Sequence, residues 1–161
     1  MKRPSHATAA FSLIEVVLAL GVAAFCLIAI FGMLPVSLKT QQTSIDQTIA
    51  SNIITEIIGD LRAAFRKPGN SASGQFGIEL KKFPPGLGQK YAPDPIYFAL
   101  DGTQQNGSAD AVFKATIIYF STTDATSTLA TITISWPAAQ SDLSKVSGSV
   151  QTLAVIDRNL P

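Results

Sequence analysis

Between Val16 and Lys39 the chain carries no Asp, Glu, Lys or Arg, and from Val16 to Val36 it is apolar almost throughout. A helix needs about 20 such residues to cross the hydrocarbon core of a bilayer. This run therefore predicts a membrane-spanning helix before any other part of the sequence is considered. It also accounts for the composition: 47% of the 161 residues are hydrophobic and only 14% are charged, against about 25% charged in an average globular protein. Lys2 and Arg3 precede the run, and basic flanks stay on the cytoplasmic side, so the part that follows should face outward. That remainder is long enough for one domain with its own core.

The order of features at the N-terminus narrows the class. Residues 1–10 are short, basic and without an apolar stretch, and the small residues Ala7, Ala9 and Ala10 come before the apolar run. A secretory signal places its small-residue cleavage site after that run. Cleavage at these alanines would leave the apolar segment with the mature chain. A lipoprotein anchor does not fit, because Cys26 lies in the middle of the run. A plain signal-anchor helix would explain all of this except Glu15. A carboxylate one turn inside an apolar helix costs about 2.5–3.5 kcal/mol even on the lenient insertion scale. A partner for the charge would offset that cost.

Ala10 followed by Phe11-Ser12-Leu13-Ile14-Glu15-Val16 resembles the cleavage and methylation signal of type IV prepilins and type II secretion pseudopilins. In that family the residue before the cut is usually Gly, the first mature residue is Phe, and the fifth is Glu. Ala10 departs from the pattern but keeps a small side chain. The resemblance implies cleavage between Ala10 and Phe11 by a prepilin peptidase and N-methylation of Phe11. It further implies an assembly role for Glu15, paired with the Phe11 amine of a neighbouring subunit. The implied partners are the peptidase, other pilin or pseudopilin subunits, an inner-membrane assembly platform and the membrane. The implied location is the bacterial inner membrane, single-pass with the head outside, and then a periplasmic or extracellular filament. Gly32-Met33-Leu34-Pro35-Val36 and Ile132-Thr133-Ile134-Ser135-Trp136-Pro137 are similar to segments of minor pilins and I-type pseudopilins. They are more loosely similar to the small pseudopilin-like proteins called Verru_Chthon cassette protein B. With a single Cys the chain lacks the C-terminal disulfide of many major pilins, which favours a minor pilin or pseudopilin.

Downstream of Pro35 the pattern becomes amphipathic. Leu38, Ile45, Ile49, Ile53, Ile57, Leu61 and Phe65 step mainly by four, with polar residues between them, as on a helix that lays one face on a core. The expected helix runs from Phe11 to Lys67 and is closed by Pro68-Gly69. Pro35 should kink it, since proline has no N–H for the carbonyl four residues back. Beyond it, β-like runs occupy 76–83, 96–100, 112–120, 129–136 and 150–156. Ile132, Ile134 and Trp136 alternate with Thr131, Thr133 and Ser135, the mark of a half-buried antiparallel strand. The segment Ser121–Ser127 should join the two strongest strands in a hairpin. The expected organisation is a leader over 1–10, a transmembrane and filament-core helix over 11–36, an amphipathic helix over 37–67 and a globular antiparallel β domain over 68–161. The expected fold class is α+β, a long N-terminal helix packed on a small antiparallel β-sheet head, as in pilins.

The residue inventory excludes most chemistry. The one His is His6, in the leader, and the one Cys is Cys26, in the apolar helix. A head without His or Cys holds no Ser-His-Asp or Cys-His site and no zinc site built on those ligands. No Walker motif or other phosphate-cradling glycine loop is present. The formal net charge of +1 and the lack of a basic stripe argue against a nucleic-acid surface. No cofactor and no metal are expected. The loop Asp101–Asp110 is rich in oxygen-bearing side chains and invites a calcium reading, but its spacing does not fit an EF-hand loop. A hydrated hairpin loop is the favoured reading. The expected function is a non-enzymatic structural subunit of a type IV pilus-like or type II secretion filament. The rival is a membrane-tethered extracytoplasmic binding module that does not polymerise.

Overall fold

The computed structural model describes residues 12–67, 69–83, 88–123, 126–140 and 142–157. The expected leader, with Ala10 and Phe11, lies outside the described residues. A single long helix, α1 (Leu13–Phe65, 53 residues), precedes β1 (Lys90–Tyr91), β2 (Ile96–Phe98), β3 (Gln104–Gln105), β4 (Phe113–Phe120), β5 (Ser127–Trp136) and β6 (Gly148–Asp157). The architecture is α+β, as the sequence pattern predicts. Pro35 is inside α1 and the helix continues through it: the missing N–H removes one hydrogen bond from the ladder without ending the helix.

The chain divides into two compact units, Met1–Gln42 and Thr43–Pro161. In the first, the described residues are helix apart from Ser12, and their side chains are exposed. Leu13, Phe25 and Met33 are 83%, 75% and 73% exposed. This segment meets the length and composition for crossing a membrane.

In the second unit, α1 turns Ala50, Ile53, Ile54, Ile57, Leu61, Ala64 and Phe65 into a core shared with the sheet. Six strands form one antiparallel sheet in the order β3-β2-β4-β5-β6, with β1 also paired to β4. The centre is β4 against β5, in unbroken register from Lys114↔Ser135 to Phe120↔Leu129. β5 against β6 runs from Ser127↔Asp157 to Trp136↔Gly148. Strict alternation puts Phe113, Ala115, Ile117 and Tyr119 of β4 and Ala130, Ile132, Ile134 and Trp136 of β5 on the buried face. Phe65 of α1 meets Tyr119 edge to face, with ring centroids 6.2 Å apart. Burying side chains such as Ile57, Leu61 and Ile132 stabilises by about 1.5–3 kcal/mol each relative to exposure, which is what holds the end of α1 to the sheet.

Three expectations need correction. Residues 76–83 form no strand: the described residues there carry one isolated bridge, Ala72↔Glu79, and join no ladder. Phe76, Ile78 and Leu80 are buried and Gly77 and Glu79 exposed, so the alternation is real, but it lines the core without joining a ladder. Gly77 at φ +66° and the capture of the preceding amide groups by Asp60, described below, prevent extended pairing. The apolar stripe of α1 also begins later than its periodicity implies. Leu38 and Ile45 are 64% and 57% exposed, and packing on the core starts at Ile49. The helix itself is shorter at both ends than the expected Phe11 to Lys67: Ser12 precedes its first turn, and Arg66 and Lys67 follow its last.

Candidate functional site

At the start of α1, Ser12 and Glu15 close on each other. The Glu15 carboxylate accepts the Ser12 backbone N–H at 2.9 Å, and the Ser12 hydroxyl accepts the Ile14 N–H at 3.3 Å. The pattern is a capping box, in which a hydroxyl residue and an acid three positions on satisfy amides that the first helical turn leaves free. A negative charge here also faces the positive end of the helix dipole. Glu15 lines a shallow groove along the helix with Val16, Ala19, Leu20 and Ala23. Its neighbours one and two turns on are thus small, and both it and they are exposed. Cys26 is exposed on the same segment.

In the head, Asp60 ties α1 to the loop that follows it. Its carboxylate accepts the backbone N–H groups of Gly74 (3.1 Å), Gln75 (3.0 Å) and Phe76 (3.0 Å). Partial burial works to raise the Asp60 carboxyl, but the Ser73 hydroxyl and these three amides outweigh it and hold it below its ordinary value. Sequence reasoning missed this residue. No motif marks it, because its partners are backbone groups that the chain brings together only when folded.

A cleft of about 450 Å³ opens beside that loop, between Phe76–Glu79, Asp94–Tyr97 and Gln104–Asn106. Glu79 and Asp94 supply carboxylates, and Tyr97 an aromatic wall. Glu79 also accepts the hydroxyl of Tyr91, a bond that pushes the Tyr91 phenol up. Lys81 sits 5.1 Å from the centre of the Tyr91 ring, a cation–π distance.

The loop considered for calcium, Asp101–Asp110, starts in the turn between β2 and β3, includes β3 and runs on toward β4. Asp101 accepts the Thr103 N–H at 3.0 Å and the Thr103 hydroxyl at 2.7 Å, and those bonds hold its carboxyl low. Gly102, at φ +82°, supplies the left-handed residue that the turn needs. The Asp101 carboxylate is therefore engaged within its own turn. Among the described residues no three His, Cys, Asp or Glu side chains come together as a metal site would require. The chain matches no family model, no curated protein and no solved structure.

Proposed function

We propose that the chain is a minor pilin or pseudopilin, a structural subunit of a type IV pilus-like or type II secretion filament processed after Ala10. The observation that carries this reading is Glu15. It is an acid one turn inside a helix whose next charged residue is Lys39, and whose large apolar side chains from Leu13 to Leu38 are exposed. A carboxylate there needs a counter-charge once lipid or protein surrounds it. The Phe11 amine that cleavage would release on a neighbouring copy supplies one. In this reading a prepilin peptidase cuts on the cytoplasmic side, the subunit rests in the inner membrane with its head outside, and an assembly platform draws it into a bundle of N-terminal helices. Pairing of Glu15 with the neighbour's amine sets the register of that bundle, the best-attested use of a buried charge pair.

The intact mass and N-terminal sequence of the protein extracted from its native membrane test this. A chain starting at Phe11 and carrying one additional methyl group is the expected result. A chain retaining residues 1–10 would overturn the processing and make a tether that does not polymerise the better reading.

A further inference from the structure

Asn106 is the one asparagine of the chain that glycine follows. In such a step the backbone amide of the glycine can fold back onto the asparagine side chain, because no Cβ restricts it. Asn106 comes directly after β3 and belongs to no helix or strand. It is exposed, and Gly107 is half-buried. Among the described residues neither the Asn106 side chain nor the Gly107 N–H has a hydrogen-bond partner. Both reacting groups are therefore free.

The other described asparagines are held. Asn52 lies within α1, where the following amide, that of Ile53, is part of the helix ladder. Asn70 donates its own N–H to the Lys67 carbonyl at 3.5 Å, and the carbonyl of the next residue, Ser71, accepts the Leu80 N–H at 2.8 Å. The backbone is thus tied on both sides of that step.

We propose that Asn106 is a site of spontaneous deamidation. The Gly107 nitrogen attacks the side-chain carbonyl carbon of Asn106 and gives up its proton. The new C–N bond closes a succinimide ring, and the side-chain nitrogen leaves as ammonia. Water, the sole co-reactant, then opens the ring. Opening at the side-chain carbonyl leaves Asp at this position. Opening at the main-chain carbonyl leaves isoaspartate, with the backbone routed through the former side chain. Either product puts a new carboxylate on the wall of the cleft that Glu79 and Asp94 also line, and makes the head more acidic by one charge. The proposal does not depend on the filament reading.

The test is to incubate the detergent-solubilised full-length chain at mildly alkaline pH and map its peptides by mass spectrometry over time, with digestion in acid so that the map adds no deamidation. The peptide containing Asn106 should gain the mass that separates an acid from an amide. Part of it should accept a methyl group from a protein isoaspartyl methyltransferase, which modifies isoaspartate and not aspartate. Conversion at Asn52 and Asn70 should be at least roughly tenfold slower, and Gly107→Ala should slow conversion at Asn106 by a similar factor. That variant keeps the fold, since a Cβ at Gly107 meets nothing within 4 Å and Gly107 is not among the glycines at positive φ. Asn106→Gln should abolish the reaction, because its ring would be larger and close far more slowly. Conversion at Asn106 no faster than at Asn70, or untouched by Gly107→Ala, overturns the proposal.

Discussion

The Glu15 carboxylate accepts the backbone N–H of Ser12 at 2.9 Å, so the acid that the filament reading pairs between subunits already has a partner within its own first turn. The two roles separate by substitution. Gln completes a capping box as Glu does, but it brings no charge to a neighbour's amine. Glu15→Ala removes both, at about 1 kcal/mol for the lost cap. We expect both variants to insert into the membrane at least as well as the parent, because each deletes a charge from the apolar segment. We expect neither to enter filaments normally, as measured by the sedimentable fraction after shearing. Wild-type assembly by Glu15→Gln would reduce Glu15 to a helix cap.

Asp60 yields a prediction with a definite pH dependence. Its folded carboxyl lies below the ordinary value of 3.8. The stabilisation it supplies is then present above that value and is lost as the pH falls through the lower folded one. Asp60→Asn keeps one acceptor oxygen for Gly74 and Gln75 but puts an NH2 where Oδ2 accepts the Phe76 N–H, and it loses the charge, so it should cost about 2 kcal/mol at neutral pH. Urea denaturation of the detergent-solubilised chain should show that gap at pH 7 and its disappearance as the pH is taken well below 4. A gap that persists undiminished in acid would mean that the bonds matter as geometry and not as charge.

How much of this was legible in the sequence depends on whether a feature repeats. The apolar run, the alternation of Ile132, Ile134 and Trp136, and the four-residue step of Ile53, Ile57 and Leu61 are periodic, and each fixes the face that is buried. Alternation at Phe76, Ile78 and Leu80 fixes burial equally well but says nothing about pairing, because pairing depends on a neighbour distant in sequence. The amides of Gly74, Gln75 and Phe76 are taken by Asp60 from another element. The strands Lys90–Tyr91 and Gln104–Gln105 are too short to show a period. The processing signal proposed at Ala10 and Phe11 is of a different kind: a peptidase would read it as local sequence, so no folded contact would be needed to define it.

Gly148 is required by a close approach. It stands directly across from Trp136 in the β5–β6 ladder, and a Cβ at Gly148 would fall 2.2 Å from Cζ2 of the Trp136 ring. The indole is buried and packs edge to face on Phe113, with centroids 5.8 Å apart, so relieving that overlap means moving the ring or the strand. Gly148→Ala should destabilise the head by about 1–3 kcal/mol, the range for overpacking. Because Trp136 is the chain's single tryptophan, its fluorescence reports the site directly. We expect a shifted emission maximum in the folded state and a lower melting temperature. An unchanged spectrum and melting temperature would mean that the strand moves aside freely.

Tyr119 leads to the opposite sign. Its ring is fully buried between the sheet and Phe65 of α1, and its hydroxyl has no hydrogen-bond partner among the described residues. Burial, with Glu79, Tyr91 and Asp60 adding negative potential, pushes the phenol far above its ordinary value, so the group is neutral at any physiological pH. A buried hydroxyl without a partner has lost its hydration and gained nothing in return, a penalty of about 1–3 kcal/mol. Tyr119→Phe deletes that oxygen and keeps the ring contact with Phe65. It should therefore leave the fold intact and raise stability by about 1 kcal/mol, visible as a higher urea midpoint with an unchanged denaturant slope. A lower midpoint would show that the hydroxyl is hydrogen-bonded in solution, for instance to an internal water bridging toward the Glu79–Tyr91 pair, and that the polar network of the head reaches into its core.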